Sequence, residues 1–128
     1  MRALRVWICA LVLVPSNSWA QKFLCQNQDF EITCHDGRCQ QSEGFTPASV
    51  SLDIQTRQLS LCMYSMCLEG VADKLLLDRH YIVAQGNNLK RNTDPGIQDH
   101  GVIVIERDTK SGSMVANGFV NPLTCETR

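Results

Sequence analysis

The sequence of 128 residues contains none of the short motifs that mark common catalytic or phosphate-binding sites. It has no H-E-x-x-H, no G-x-S-x-G and no glycine-rich phosphate loop. Its three histidines, His35, His80 and His100, fall into no catalytic spacing. We therefore predict a protein that is not an enzyme and that holds no cofactor or metal ion.

An excess of one charge and long apolar runs are also missing. Twelve Lys and Arg residues stand against 13 Asp and Glu residues, and no charge run is longer than Lys90-Arg91. A nucleic-acid or anionic-membrane partner would require a basic face, so neither is expected. The apolar run over 6–14 is far shorter than the roughly 20 residues that span a bilayer. The processed chain is predicted not to span a membrane.

Residues 1–20 have the features of a secretory signal peptide. Arg2 and Arg5 precede the apolar run, Pro15 ends it, and Ser18-Trp19-Ala20 offers small residues for cleavage. An uncleaved N-terminal anchor is the alternative. Cleavage would leave a single domain over 21–128, with 10 basic and 13 acidic residues and a net charge of −3. The expected location is the periplasm or the cell exterior.

Seven cysteines occur, and Cys9 would leave with the signal peptide. The remaining six are enough for three disulfides, which persist in oxidising compartments. They are Cys25, Cys34, Cys39, Cys62, Cys67 and Cys125.

Alternation of apolar and polar residues with a period of two predicts β-strands. The run over 50–54 alternates in this way, and after a turn at Thr56-Arg57 the alternation resumes over 59–63. The run over 29–33 alternates likewise and leads to Asp36-Gly37. Asp-Gly suits a type I′ hairpin turn, in which both central residues adopt positive φ.

The second half of the chain is rich in β-branched and aromatic residues over 80–85 and 102–107, which indicates further strands. A turn at Ser111-Gly112 is expected to lead into a strand over 114–120, which Asn121-Pro122 would interrupt. Residues 71–78 are compatible with one helical turn. The prediction is an all-β domain, either an antiparallel β-sandwich or a small β-barrel.

Hairpin geometry favours one disulfide pairing among fifteen. With Asp36-Gly37 as a two-residue turn, Cys34 faces Cys39 at a close, non-hydrogen-bonded position. Cys62 and Cys67 have the same spacing around Tyr64-Ser65, although a four-residue loop is the alternative there. By elimination Cys25 pairs with Cys125 and joins the first strand to the last.

The Cys34–Cys39 tip is the first candidate for partner binding. It holds His35, Asp36 and Arg38 on one constrained turn, and preorganisation reduces the entropy lost on binding. The alternative is that polar residues simply belong at a hairpin tip.

Two further regions are candidates. The first is a long connection predicted over 86–101, which contains Lys90 and Arg91. The second is the tip around Tyr64, where Met63 and Met66 form either an apolar contact patch or part of the core.

Several segments resemble small exported alphaproteobacterial proteins rich in cysteine. The likeness lies in Phe23-Leu24-Cys25, in 31–34, in Phe45-Thr46-Pro47, in 61–70 and in 123–126. It implies export and the cysteine frame and implies no activity.

The cysteine-bounded loop with His35 and Asp36 is also similar to that of periplasmic inhibitors of vertebrate-type lysozyme, which insert such a loop into the enzyme's cleft. Here His35-Asp36 follow the first cysteine, and the loop has no proline.

The resulting hypothesis is an exported protein-binding module, such as a periplasmic inhibitor, that is monomeric and acts on a protein partner in the envelope or outside the cell. The alternatives are a metal-dependent enzyme that uses the histidines and a structural or assembly protein of the envelope.

Overall fold

The computed structural model describes residues 21–44 and 46–128. The predicted signal peptide, with Cys9, and Phe45 lie outside the described residues. Within these ranges the chain forms strands and turns and no helix. The strands are β1 (Lys22–Asn27), β2 (Ile32–His35), β3 (Arg38–Gln41), β4 (Ala48–Asp53), β5 (Gln58–Met63), β6 (Met66–Val71), β7 (Lys74–Leu77), β8 (Tyr81–Arg91), β9 (Gln98–Glu106), β10 (Ser111–Ala116) and β11 (Phe119–Thr127).

Eight of these strands close into an antiparallel barrel. The order around it is β1-β4-β5-β6-β8-β9-β10-β11, and β11 pairs back onto β1. Alternate residues of each strand point inward and form one core, whose fully buried members include Leu52, Leu61, Ile82, Ile105 and Met114. The all-β prediction is confirmed, and of the two predicted architectures the barrel is the observed one.

The alternating strand directions place the connections in two groups. At one end, which we call the hairpin end, lie the β5–β6, β8–β9 and β10–β11 turns and the β2–β3 hairpin. At the other, the terminal end, lie the β4–β5, β7–β8 and β9–β10 turns. Lys22 and Arg128 also meet there, because each backbone N–H donates to the other's carbonyl at 3.0 and 2.9 Å.

The predicted hairpins around Asp36-Gly37 and Thr56-Arg57 are both present. Asp36 and Gly37 have φ of 48° and 72°, as a type I′ turn requires. Their strand β2 begins at Ile32, a few residues later than the alternation over 29–33 suggests.

All three predicted disulfides are confirmed. Cys34 is the register partner of Cys39, Cys62 of Cys67, and Cys25 of Cys125, with Cα–Cα distances of 4.0 to 4.1 Å. The Cys25–Cys125 bridge therefore lies across the strand pair formed by the first and last strands. Three disulfides are compatible with an oxidising, extracytoplasmic environment.

The long connection predicted over 86–101 is wrong. β8 continues to Arg91 and β9 begins at Gln98, so only a short turn over 92–97 joins them. The polar Gly86-Asn87-Asn88 segment, which resembles a loop in sequence, is a bulge in the β8–β9 ladder. Leu89 returns to the core beyond this bulge and is completely buried.

The helical turn considered over 71–78 is also wrong. Residues Lys74–Leu77 form β7, which pairs with β8 beyond the point where β6 ends. Ala72, which is buried, and Asp73 lie between the end of β6 and the start of β7. The three leucines have strand partners on β8, and this tertiary pairing outweighs their helix propensity.

The turns near the C-terminus differ from those predicted. Ser111-Gly112 lies inside β10, and the chain turns earlier, over 107–110. The strand expected over 114–120 is divided at Asn117-Gly118, whose φ values of 51° and 79° again fit a type I′ turn. Asn121-Pro122 does not interrupt β11. The pairing of β11 with β10 is continuous through this segment, and Pro122 is the register partner of Ser113.

In the described part of the chain, a membrane-crossing helix is not found.

Candidate functional site

The predicted partner-binding residues all lie at the hairpin end of the barrel, on different connections. His35, Asp36 and Arg38 belong to the β2–β3 hairpin, Tyr64 to the β5–β6 turn, and Lys90 and Arg91 to the end of β8. Distances along the sequence gave no indication of this shared location. It follows from the closed antiparallel topology, in which every second connection emerges at the same end.

The β2–β3 hairpin lies outside the closed barrel. β2 pairs with β11 only through Phe119 and Val120, and β3 pairs only with β2 among the described residues. All four residues of β3 are exposed. The hairpin therefore extends the sheet beyond the barrel wall and contributes little to the core.

The tip of this hairpin is polar and almost fully exposed. His35 Nε2 lies 3.1 Å from Asp36 Oδ2, and the two side chains are 87% and 86% exposed. The pair is ionic when the imidazole is protonated, and at such exposure it adds little stability. Arg38 is the register partner of His35 and is also exposed. A cation, a carboxylate and an imidazole are thus presented on one turn.

The base of the hairpin is fixed by hydrogen bonds. Cys34 N–H donates to Gly118 O at 2.8 Å, which ties the hairpin to the β10–β11 turn. Ser42 N–H donates to Glu31 O at 3.0 Å, and the side-chain oxygens of Thr33 and Ser42 are in hydrogen-bond contact. With the Cys34–Cys39 disulfide, these contacts hold the tip in one orientation relative to the barrel.

The Tyr64 tip is held by its neighbours. Tyr64 has φ of 54° in a two-residue turn, so the alternative of a four-residue loop is not observed. Asn92 clamps this turn: its side-chain oxygen accepts from Cys67 N–H at 2.8 Å, and its amide donates to Ser65 O at 3.0 Å. The Tyr64 side chain is 72% exposed, while Met63 is buried. Met66 packs against the core.

Lys90 and Arg91 differ in their availability. The Arg91 guanidinium pairs with the Asp99 carboxylate across the β8–β9 ladder, and both side chains are partly buried. The hydrogen bond to Asp99 raises the pKa of Arg91 above its ordinary value. Lys90 is exposed on the same strand. Arg91 is therefore engaged in holding two strands together, and Lys90 is the accessible cation.

The three histidines are dispersed. His80 lies at the terminal end, with Nδ1 3.5 Å from Asp108 Oδ2. His100 lies near the start of β9, toward the hairpin end, and borders an open depression of about 330 Å³ beside Asn117 and Gly118. In residues 21–44 and 46–128 no group of three or more His, Cys, Asp or Glu side chains is arranged to hold a metal ion.

Two parts of this end were not anticipated from the sequence. The Asn92 clamp joins segments 25 or more residues apart, and no local pattern predicts it. The Asn117-Gly118 turn did carry a signal, because Asn-Gly is a strong type I′ sequence.

Comparisons with protein-family models, with curated proteins and with solved structures found no match for this chain.

Proposed function

We propose that the protein is an exported protein-binding module and that the Cys34–Cys39 hairpin tip inserts into a concave surface of its partner. The observation that carries the proposal is the placement of this hairpin outside the closed barrel, with His35 and Asp36 almost completely exposed. A closed barrel does not need this hairpin for its core, so its residues are available for recognition.

The construction of the hairpin also supports binding. A type I′ turn and a disulfide fix its backbone before any partner arrives, so little conformational entropy remains to be lost on binding. The exposed groups are a carboxylate, an imidazole and a guanidinium, which suit a polar cleft lined with donors and acceptors. Lys90 and Tyr64 lie at the same end of the barrel and would contact the rim around such a cleft.

An inhibitor of an envelope or extracellular hydrolase is the specific form of this function that we propose. A narrow, rigid and protruding hairpin has the shape needed to occlude an enzyme cleft. The partner would be located in the periplasm or outside the cell, where the three disulfides persist.

The first experiment compares two double variants of the oxidised protein. His35→Ala/Asp36→Ala removes the imidazole and the carboxylate of the tip, and Gln55→Ala/Thr56→Ala changes two exposed residues of the β4–β5 turn at the terminal end. A photoreactive residue at position 40, an exposed position of β3 beside the tip, captures the partner from an envelope extract. The affinity of the captured partner is then measured for each variant. We expect the tip variant to bind it about 10- to 100-fold more weakly than the wild type, as is usual for central contact residues. Equal binding by the two variants would contradict the role of the tip.

The inhibitor form has its own assay. The activity of a vertebrate-type lysozyme is titrated with the wild-type protein and with both double variants. Inhibition by the wild type and by the Gln55/Thr56 variant, with at least tenfold weaker inhibition by the tip variant, is expected. Full lysozyme activity at saturating wild-type protein would dismiss inhibition of this enzyme class.

A further inference from the structure

Strand β7 leaves one edge without a partner strand in the described part of the chain. It pairs with β8 alone, whereas each barrel strand pairs on both sides. Asp78 N–H donates to Tyr81 O at 2.9 Å, so this register pair is hydrogen-bonded. Because hydrogen-bonded and non-hydrogen-bonded pairs alternate, the N–H and C=O groups of Leu75 and Leu77 point away from β8, toward the open edge.

This open edge is apolar. Leu76 is 60% exposed and Leu77 46% exposed, and Tyr81 is 47% exposed on the neighbouring strand. A free edge with large apolar side chains is a template for pairing with another strand, and proteins ordinarily protect such edges with polar residues. Strand β3, which also has a free edge among the described residues, follows that rule, because it carries Arg38, Gln40 and Gln41.

We propose that β7 is the interface of a homodimer, in which two copies of the strand pair edge to edge, antiparallel, about a two-fold axis at Leu76. In this register Leu75 lies opposite Leu77 of the second copy, and Leu76 lies opposite itself. Lys74 lies opposite Asp78 of the second copy. The segment from Lys74 to Asp78 is thus complementary to its own reverse in both charge and apolar character.

The hydrogen-bond pattern selects the same register. Leu75 and Leu77 carry the outward backbone groups, and the register pairs them with each other in two symmetric hydrogen-bonded pairs. A shift by two residues is the smallest that preserves this pattern. It would place Lys74 or Asp78 opposite Leu76 of the second copy and would lose the charge pairing.

The charges have the signs that the pairing needs. Hydrogen bonds from the backbone N–H groups of His80 and Tyr81 lower the pKa of Asp78, so this carboxylate is ionised at neutral pH. Both of these bonds use Oδ1, and they leave Oδ2 for Lys74 of the second copy. Lys74 is exposed.

This proposal differs from the monomer that the sequence alone predicts. The contact is isologous, as expected for a two-fold dimer. Because four residues of strand edge form a small interface, we expect a reversible dimer whose population depends on concentration.

The first test measures mass by sedimentation of the oxidised protein over a concentration series up to about 1 mM, the range of weak association. The wild type is expected to shift from monomer to dimer. Leu76→Lys sets two like charges face to face on the axis and should weaken the dimer at least tenfold. Gln40→Lys, a matched change on the other edge strand, should leave it unchanged. A wild type that stays monomeric throughout, or a dimer that Leu76→Lys does not weaken, would overturn the proposal.

The second test fixes the register by cysteine cross-linking. Two copies of residue 76 would have Cα atoms about 4.5 Å apart, within disulfide reach. Two copies of residue 74 would lie about 14 Å apart. Leu76→Cys should therefore form a covalent dimer, while Lys74→Cys and Gln40→Cys should not, with peptide mapping confirming the three native disulfides in each variant. Equal cross-linking at 76 and 74 would overturn this register. The His35→Ala/Asp36→Ala variant should dimerise like the wild type, so the two proposals fail separately.

Discussion

Leu89 is buried because two glycines leave room for it. A Cβ atom at Gly86 would lie 2.5 Å from Leu89 Cδ2, and one at Gly70 would lie 3.2 Å from the same atom. Leu89 follows the bulge in β8, and its side chain fills the space above both glycines. The loop-like composition of this segment therefore reflects a close packing contact, which explains why the sequence suggested a connection there.

We predict that substitutions at Gly86 and Leu89 have non-additive effects on the free energy of unfolding. Gly86→Ala should lower the free energy of unfolding by about 1–3 kcal/mol, because the new methyl group overpacks the core. In a Leu89→Ala background the same change should cost much less, since the clashing atoms are gone. Chemical denaturation of the four proteins measures this coupling. Gly44→Ala, where nothing lies within 4 Å, is the control. Additive costs would contradict the packing explanation.

Among the elements, the two type I′ turns differ in what they support. Asp36-Gly37 connects β2 and β3 outside the barrel, whereas Asn117-Gly118 connects two barrel strands. Gly118 O also accepts the hydrogen bond from Cys34 N–H. The same turn chemistry therefore serves a peripheral hairpin in one case and the barrel in the other.

This difference predicts that the same Gly→Ala substitution lowers global stability by different amounts at the two turns. Gly37→Ala and Gly118→Ala both place a Cβ at positive φ, which costs roughly 1–2 kcal/mol. Gly118→Ala should lower global stability by about that amount, because its turn belongs to the barrel. Gly37→Ala should speed amide hydrogen exchange in the β2–β3 hairpin with little change in global unfolding. Equal loss of global stability in both variants would show that the hairpin unfolds only with the barrel.

The elements also show how far local patterns were informative. The β4–β5 and β2–β3 hairpins and all three disulfides could be predicted, since period-two alternation and cysteine spacing are local properties. The β7 strand could not, because its conformation depends on partners on β8 and not on Leu75, Leu76 and Leu77 themselves. For the same reason the hydrogen bonds of Asn92 to Ser65 and Cys67 could not be predicted, since they depend on closure of the barrel.

For the whole molecule, the Cys25–Cys125 bridge is the strongest covalent constraint. It closes a loop with a sequence separation of 100, whereas each hairpin bridge has a separation of 5. In the chain-entropy account a loop near 100 residues contributes about 4.7 kcal/mol, and a loop of about six residues contributes roughly 2. The Cys25–Cys125 bridge also lies in the β1–β11 strand pair, where the first and last described residues meet.

We therefore predict a graded loss of stability when the bridges are removed. Cys25→Ala/Cys125→Ala should lower the free energy of unfolding by roughly 4–5 kcal/mol, and Cys34→Ala/Cys39→Ala by about 2 kcal/mol or less. Denaturant titration under non-reducing conditions measures both. A larger loss from the short bridge would contradict the assignment of Cys25–Cys125 as the main constraint.

The pairing of Lys22 with Arg128 has a practical consequence for studying this protein. Both ends of the described chain emerge side by side at the terminal end, so a tether or fusion at either one points away from His35 and Tyr64. The protein can be anchored on a surface through either end with its hairpins facing the solution. The same adjacency allows a short linker to join residues 21 and 128, with new ends opened in another turn of the barrel.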